Sequence, residues 1–334
     1  MGKEVKMKKG FFFLALAVFL VVGLFRSGYG APLEFKVVTF LPRTEPRIVV
    51  FQDLLKLIEQ KSKGAIICKY LGGPEVIPPL ELGDNVRLGN IQMAISPGGF
   101  FSGLVPVAAM ISLSQFSMDE ERKRGLWDKL AQVFEPSGLR PVGRFMPHND
   151  PAYLVGLRKV KPTSIKDFGG LKIGFAATVI KAWAEKLGMT FVQIPLQEGY
   201  TALERGVVNA FTGTVGDHLN YAYCEVEDFI LDHPIYGNNG YIIMNLKTWN
   251  NLPQNLKNAI TDACITWEPM SMKIQRETEA KQKQQIINKK KAQFIQLPPD
   301  EAAKYVRAVY DAEWPTWEAK QPELTKVLRP LMSK

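Results

Sequence analysis

The residue types best suited to catalysis or metal binding are few in this chain and lie far apart. Its three histidines, His148, His218 and His233, form neither HExxH nor another metal-ligand spacing. The motifs GxGxxG, GxSxG and the phosphate-binding GxxxxGK are absent. His148 lies beside Asn149 and Asp150, in the only polar cluster with catalytic residue types, and a surface histidine in a Pro-flanked loop is the favoured interpretation. The chemistry-bearing residues therefore indicate no enzyme and no cofactor.

The three cysteines, Cys68, Cys224 and Cys264, are an odd number at long spacings. An exported protein could form one disulfide, and the sequence does not choose among the three pairings. A metal site is the weaker alternative, because no CxxC spacing accompanies them. Buried cysteines usually pack as small hydrophobic residues, and that is the role we expect.

The first thirty residues have the composition of a cleavable secretory signal. Four lysines at positions 3–9 precede an apolar, uncharged segment at 11–25, and Gly28 and Gly30 place small residues before a cut at Ala31. A retained anchor is the alternative, but a helix over this segment would span about 22 Å of a hydrocarbon core about 30 Å thick. We therefore expect an exported, periplasmic protein.

Charge and hydropathy exclude other classes of protein. The full chain has a formal net charge of +9, and the predicted signal contains five basic residues and one acidic residue, which leaves about +5 for the rest. This mild charge, without basic stretches interleaved with aromatic residues, argues against nucleic acid as a partner. After the signal, no segment is apolar enough to cross a bilayer, and the length suits two domains.

Strand-like and helix-like segments alternate after the predicted signal. Strands are predicted at residues 33–40, 65–71, 91–96, 139–146, 152–157, 171–175, 190–194, 208–211, 229–232 and 241–246. Helices are predicted at residues 47–61, 80–88, 119–134, 179–187, 199–205, 300–314 and 323–331. The alternation predicts an α/β protein with parallel sheets and helices on both faces.

A long helix is predicted from residue 254 to about 290, interrupted only by Pro269. A helix longer than about 25 residues exceeds the width of one domain, so it should span two lobes, and Pro269 should kink or split it. We predict lobe I in residues 31–150 and about 240–268, and lobe II in residues 151–239. Residues 269–334 are predicted as helices that pack across both lobes. Such an arrangement is typical of a hinged binding protein with its ligand between facing strand ends.

Four sequence strings lie at intervals along the chain. They are KYLGGPE at 69–75 leading into NVRLGNIQM at 85–93, SIKDFGGLKI at 164–173, QEGYTALERGVVN at 197–209, and LKTWNNLP at 246–253. In this order they resemble the substrate-binding proteins of TRAP transporters, the DctP family. The resemblance implies a two-lobed periplasmic binding protein fold with a long helix spanning both lobes. It also implies a small organic solute as ligand and the subunits of a membrane permease as partner.

The same resemblance implies a carboxylate ligand. In the family an arginine at the end of the string GLKIR grips the carboxylate, since a guanidinium matches its two oxygens. This chain has Gly174 at that position. Three possibilities are open: another cation (Arg43, Arg144 or His148) holds an anionic ligand, a neutral or bulkier ligand fills the vacated room, or the alignment is shifted by a few residues. If the ligand is anionic, replacing Arg144 with Ala should weaken binding strongly.

The candidate ligand-binding residues lie at the ends of predicted elements. The first lobe offers Phe40, Arg43, Ser96, Gly98, Gly99, Phe100, Arg144, His148 and Asn149. The second lobe and the crossings offer Gly174, Phe175, Thr178, Tyr200, Thr212, Gly213, Tyr236 and Asn238. The two glycines in the first set allow a ligand to approach the backbone closely.

Some of these residues have a structural role as the alternative. Phe100 and Phe101 are adjacent, and two alternatives are open: both pack in the core, or one of them stacks on the ligand. Thr212 and Thr214 could offer hydroxyls or be ordinary β-formers at a strand end. Tyr200 falls at helical spacing with core positions.

Other classes of function are also open at this stage. An ABC-type solute receptor has a similar two-lobed shape. An exported α/β hydrolase or transferase would use His148, and a structural or adhesive envelope protein would bind no small molecule.

Overall fold

The computed structural model describes residues 31–145, 153–176, 178–237, 240–289 and 291–334. The predicted signal and three candidate site residues, His148, Asn149 and Asn238, lie outside these ranges. Within them, no helix has both the length and the apolar character required to span a membrane.

The first sheet has five strands in the order β2, β1, β3, β10, β4. Their bounds are β1 Leu33–Thr39, β2 Ile66–Gly72, β3 Met93–Pro97, β4 Leu139–Phe145 and β10 Gly240–Asn245. Strand β1 pairs in parallel with β2 and β3, while β10 runs antiparallel between β3 and β4. We call the part of the chain built on this sheet the first lobe.

The second sheet has six strands in the order β11, β9, β5, β8, β6, β7. Their bounds are β5 Leu154–Leu157, β6 Lys172–Phe175, β7 Thr190–Gln193, β8 Ala210–Gly213, β9 Phe229–Leu231 and β11 Gln293–Ile295. Strand β5 runs antiparallel to β8 and β9, and the other pairs are parallel. The part built on this sheet is the second lobe.

The α-helices of the described residues pack on these sheets. Their bounds are α1 Pro46–Lys61, α2 Leu82–Leu88, α3 Met118–Lys123, α4 Leu126–Phe134, α5 Lys181–Lys186, α6 Gly199–Glu204, α7 Val215–Asn220, α8 Leu246–Asn251, α9 Gln254–Asn288, α10 Pro299–Lys320 and α11 Pro322–Met332. Helix α1 shows why such segments fold: its buried residues, Ile48, Phe51, Leu54, Leu55 and Ile58, recur every three or four positions and form one apolar face.

Helix α9 has 35 residues and is about 52 Å long, so it is long enough to serve both lobes. It packs on α1 and β4 in the first lobe and on α7 in the second. Pro269 lies inside the continuous helix, so the predicted split is wrong. The preceding turn is anchored on both sides: Trp267 Nε1 donates to the Val50 carbonyl at 2.9 Å, and Glu268 pairs with Arg122 at 2.6 Å.

The two-lobed α/β fold with a long helix is confirmed, with local differences. The sheets are mixed rather than parallel, because β5 and β10 run antiparallel to their neighbours. The helix predicted at 119–134 is two helices, since Gly125 between them has a φ of 77° in the left-handed region. Helices α7 and α8 and strand β11 were not predicted.

Residues 269–334, predicted as helices alone, also contain β11 of the second sheet. Helix α10 packs on α5 in the second lobe, and α11 packs on α10 and on α4 in the first lobe. The last part of the chain therefore contacts both lobes, as α9 does.

Candidate functional site

A cavity of about 130 Å³ lies between the two lobes, against α9. The first lobe lines it with Glu45, Arg47, Val50 and Phe145, and the second lobe with Thr214, Gly216, Asp217 and Asn220. Seven α9 side chains between Trp267 and Gln282 form the remaining wall. Of the described residues that the sequence suggested for ligand binding, Thr214 lines this cavity, and Arg144 and Gly213 directly precede residues that do.

Arg47 and Glu45 supply charge from the first lobe. Helix α1 begins at Pro46, so Glu45 precedes the helix and Arg47 lies in its first turn. The Arg47 Nε donates to Glu45 Oε1 at 2.6 Å, and the two side chains remain 31% and 25% exposed. Arg47 is the one cationic side chain among the described residues that line the cavity. A guanidinium at this position can bind a carboxylate through two parallel hydrogen bonds.

Asp217 and Thr214 supply polar groups from the second lobe. They form a capping box at the start of α7: Asp217 N donates to Thr214 Oγ1 at 3.1 Å, and Thr214 N donates to Asp217 Oδ2 at 2.9 Å. The box fixes both side chains at the cavity wall. Thr214 therefore serves the helix terminus rather than acting only as a β-former.

Electrostatic effects on tyrosines show that charges from the two lobes act on the same space. Burial raises the pKa of Tyr153 to about 12, the Asp217 carboxylate adds to the rise, and Arg47 opposes it. Burial also raises the pKa of Tyr221, where Asp217 and Arg47 again act in opposite directions. Arg47 of the first lobe and Asp217 of the second thus both lie near enough to these tyrosines to affect their pKa values.

Aromatic rings connect the cavity to its rim. The Phe145 ring stacks on Trp267 at 6.4 Å with an interplanar angle of 12°. Phe40 packs edge-on against Phe145 at 6.0 Å and against Phe100 at 5.9 Å. Phe100 is 37% exposed, whereas Phe101 is buried in the core. The structure thus places Phe100 at the surface, where stacking on a ligand is possible.

The backbone after β3 was expected to let a ligand approach. A Cβ added at Gly99 would meet nothing within 4 Å, which agrees with an open surface. At Gly98 it would lie 2.5 Å from the Ala108 carbonyl, so that glycine is required by backbone packing. Ser96 is fully buried in the sheet.

Gly174, which the resemblance aligns with the family's arginine, is buried against Phe211. The two residues are in register across the β6–β8 pairing. A Cβ added at Gly174 would lie 2.6 Å from Phe211 Cδ2 and 3.3 Å from Ile194 Cδ1. The Phe211 ring therefore fills the space beside Gly174, and a ligand finds no vacated arginine site there.

Arg144, a predicted cation for the ligand, is fully buried in the first lobe. Its Nη1 donates to Glu121 Oε1 at 2.7 Å, and its backbone N donates to Glu268 Oε1 at 3.2 Å. Trp127 Nε1 donates to the second Glu121 oxygen at 3.3 Å. This network joins α3, β4 and α9. We therefore assign Arg144 a structural role in place of the predicted ligand contact.

Arg43, the second predicted cation, is held on β2. Its Nη2 donates to the Leu71 carbonyl at 2.6 Å, and its guanidinium carbon lies 5.0 Å from the centroid of the Tyr70 ring. It does not line the cavity. Arg43 thus lies beside β2, the edge strand of the first sheet.

The remaining candidates in the second lobe are dispersed. The Tyr236 hydroxyl donates to Glu313 at 2.9 Å inside the core, and Thr212 is fully buried. Tyr200 packs against a buried cluster, which agrees with the core role considered for it, and Thr178 is exposed. Phe175 contacts Tyr153 with ring centroids 5.0 Å apart, so Phe175 alone of these five is connected to the interlobe space.

The described histidines form hydrogen bonds with other residues of the protein, and the cysteines form no disulfide with one another. His218 and Glu227 form a buried pair at 2.9 Å, and His233 Nε2 accepts from the Leu297 backbone at 2.9 Å. Cys68, Cys224 and Cys264 are free thiols. Among the described residues, no group of three acidic, histidine or cysteine side chains could hold a metal ion.

Sequence reasoning missed Glu45, Arg47, Asp217, Phe145 and Trp267. Two signals could have indicated part of this set: the Pro46 helix start immediately flanked by charges, and the spacing T-x-x-D at Thr214, which is typical of a capping box. The approach of Phe145 to Trp267 joins positions 122 residues apart, and no local pattern reveals it.

Comparison with known proteins identifies the family. The sequence model of bacterial extracellular solute-binding protein family 7, DctP, matches residues 37–319. The chain belongs to this family. It is therefore a solute-binding receptor and not an enzyme, and the resemblance drawn from the four sequence strings is confirmed.

Curated relatives are distant. An uncharacterized protein of Haemophilus influenzae is 27% identical over 77% of this chain and 78% of its own length. A monocarboxylate 2-oxoacid-binding periplasmic protein of Nostoc is 21% identical over 70% of this chain and 65% of its own length. The chain thus spans slightly less than two thirds of the second relative.

Solved structures share the fold. A TRAP periplasmic solute-binding protein from Ochrobactrum anthropi, with its C-terminus bound in the ligand-binding pocket, superimposes with a TM-score of 0.77 at 21% identity, covering 90% of this chain and 95% of that one. A second, from Desulfovibrio salexigens with bound orotic acid, has a TM-score of 0.71 at 18% identity, covering 90% and 97%. The fold is that of TRAP-type solute receptors.

Proposed function

We propose that this chain is the periplasmic receptor of a TRAP-type secondary transporter, which captures a small organic acid between its lobes and delivers it to the membrane permease. The observation that carries the proposal is Arg47, the cationic side chain in the described lining of the interlobe cavity. Two similar proteins support the ligand class, one named for monocarboxylate 2-oxoacids and one containing orotic acid.

Arg47 takes the part that the resemblance gave to an arginine at position 174. The Arg47 side chain is 31% exposed and its ion pair with Glu45 is partly exposed, so a ligand carboxylate can approach the guanidinium. Closure of the lobes then removes water and strengthens the contact. The bound ligand stabilises the closed conformation of the receptor, and the permease recognises that closed conformation.

The rim of the cleft contributes shape rather than charge in this proposal. Phe40 packs on Phe100 beside the open Gly99 in the first lobe, and Phe175 packs on Tyr153 in the second, which supports placing these residues at the opening of the cleft. We assign these residues to ligand contact in the closed form. Flat apolar rings are suited to the carbon skeleton of an organic acid.

The proposal includes the location of the protein and the residue limits of its two lobes. Cleavage near Gly30 and Ala31 would release a receptor that diffuses between solute and permease. We place the first lobe in residues 31–150 and about 240–268 and the second in residues 151–239, with residue 269 onward contributing to both.

A melting screen against organic acids tests the function. A ligand at a hundred times its dissociation constant adds about 2.7 kcal/mol to the stability of the native state, which shifts the melting temperature visibly. The panel contains 2-oxo acids, amino acids, orotate, uronates and dicarboxylates. If no organic acid raises the melting temperature, the proposed function is wrong.

Calorimetric titration of Arg47→Ala with the best acid tests the site. A hydrogen bond to a charged group contributes about 1.5–3 kcal/mol, so affinity should fall by roughly 10- to 100-fold. Arg43→Ala is the matched control, since Arg43 lies outside the cavity lining, and its affinity should not change. Equal losses in both variants would remove Arg47 from its role.

A further inference from the structure

Charged side chains of both lobes line the cavity. The first lobe contributes Arg47 and Glu45, which form an ion pair, and the second lobe contributes Asp217. A ligand in this cavity therefore meets a carboxylate of the second lobe as well as the guanidinium of the first, and an ammonium group on the ligand would match that carboxylate.

Asp217 is the carboxylate best placed to pair with an ammonium group of the ligand. Its Oδ2 accepts the Thr214 backbone N–H at 2.9 Å, and within the described part of the chain its Oδ1 has no hydrogen-bond partner. The side chain is partly exposed at the cavity wall, on the side opposite Arg47. The capping box holds it there, so it is not free to turn away when the lobes close.

The wall beside the charges is aromatic. Phe145 and Trp267 both line the cavity, with their rings stacked. Aromatic faces attract ammonium groups, and an acidic side chain beside such rings adds to that attraction. One carboxylate-binding group, one ammonium-binding group and an aromatic wall thus surround the same space.

We propose that the captured organic acid is a zwitterion of the amino-acid class, with its carboxylate on Arg47 and its ammonium group received by Asp217. This inference rests on the proposed function and specifies its substrate class. An acid without the amine would leave Asp217 desolvated and unpaired when the lobes close, which is the situation by which sites reject analogues that lack a hydrogen-bonding group.

Matched pairs of acids that differ only in an oxo or an ammonium group test the inference. We would titrate the protein calorimetrically with pyruvate and L-alanine, 2-oxoglutarate and L-glutamate, and 3-methyl-2-oxobutanoate and L-valine. In the pair whose carbon skeleton fits, the amino acid should bind at least about tenfold more tightly than the 2-oxo acid.

Asp217→Asn tests the residue itself. Asn retains an acceptor oxygen for the Thr214 N–H, so α7 should remain capped. The preference for the amino acid should shrink to within about threefold, mainly because the amino acid binds more weakly. Asp262→Asn, on an exposed position of α9 outside the cavity, should leave the preference unchanged.

The outcomes separate the two proposals. Equal or tighter binding of the 2-oxo acids, or binding confined to acids without an amine, overturns the zwitterion inference and leaves the receptor function intact. A preference that survives Asp217→Asn overturns the assignment of Asp217. If no organic acid of either kind binds, both proposals fail.

Discussion

Gly174→Ala tests the finding that the Phe211 ring fills the space beside Gly174. The added Cβ would lie 2.6 and 2.7 Å from two Phe211 ring carbons, about 1 Å closer than the optimal separation of carbon atoms. The ring cannot retreat easily, because it is fully buried and packs against Tyr223 with ring centroids 4.9 Å apart. Overpacking of this kind costs about 1–3 kcal/mol. We therefore expect a melting temperature several degrees below that of the wild type.

The assay is differential scanning calorimetry of the protein without its predicted signal, and Gly99→Ala is the matched control. At Gly99 a Cβ meets nothing within 4 Å, so that variant should melt with the wild type. Phe211→Leu introduced into Gly174→Ala should cost less than the sum of the single changes, since the smaller side chain relieves the clash. A Gly174→Ala protein as stable as the wild type would falsify the packing argument and would leave room at position 174 for a ligand.

Two further predictions concern the buried network of the first lobe. Arg144→Met should destabilise the protein by about 3–5 kcal/mol in chemical denaturation, because it leaves Glu121 unpaired, while ligand affinity stays unchanged. A strong loss of affinity without loss of stability would restore the ligand role predicted from the sequence. Burial raises the pKa of Glu268 to about 7, so its contribution to stability is full below the unfolded value near 4.5 and is lost as pH rises through 7. The melting temperature of Glu268→Gln relative to wild type should therefore rise between pH 5 and pH 8, and a constant difference would contradict that pKa.

The sequence allowed the two-lobed fold to be predicted because long amphipathic patterns and four family strings occur in order. The elements that escaped prediction are short: α7 and α8 have six residues each and β11 has three. The antiparallel course of β5 and β10 also escaped, since strand direction depends on long-range pairing. Of the two outcomes predicted at Pro269, a kink or a split, the split is wrong, since α9 continues through this residue and the turn before it is anchored by Trp267.

The site was harder to predict than the fold. Phe40, Gly99, Phe100 and Phe175 were chosen because ligands bind at strand ends in such sheets, and their contact with the ligand stays a proposal. Arg47 was missed because it lies inside a helix pattern rather than at a strand end. Arg144 was chosen for its charge, and only tertiary structure shows the buried partner that engages it.

A crystal structure of the protein with its tightest-binding acid tests the central claim most directly. The account predicts that the acid lies between the lobes with its carboxylate within hydrogen-bond distance of the Arg47 guanidinium. An acid bound elsewhere, or bound between the lobes with its carboxylate held by groups other than Arg47, would contradict it.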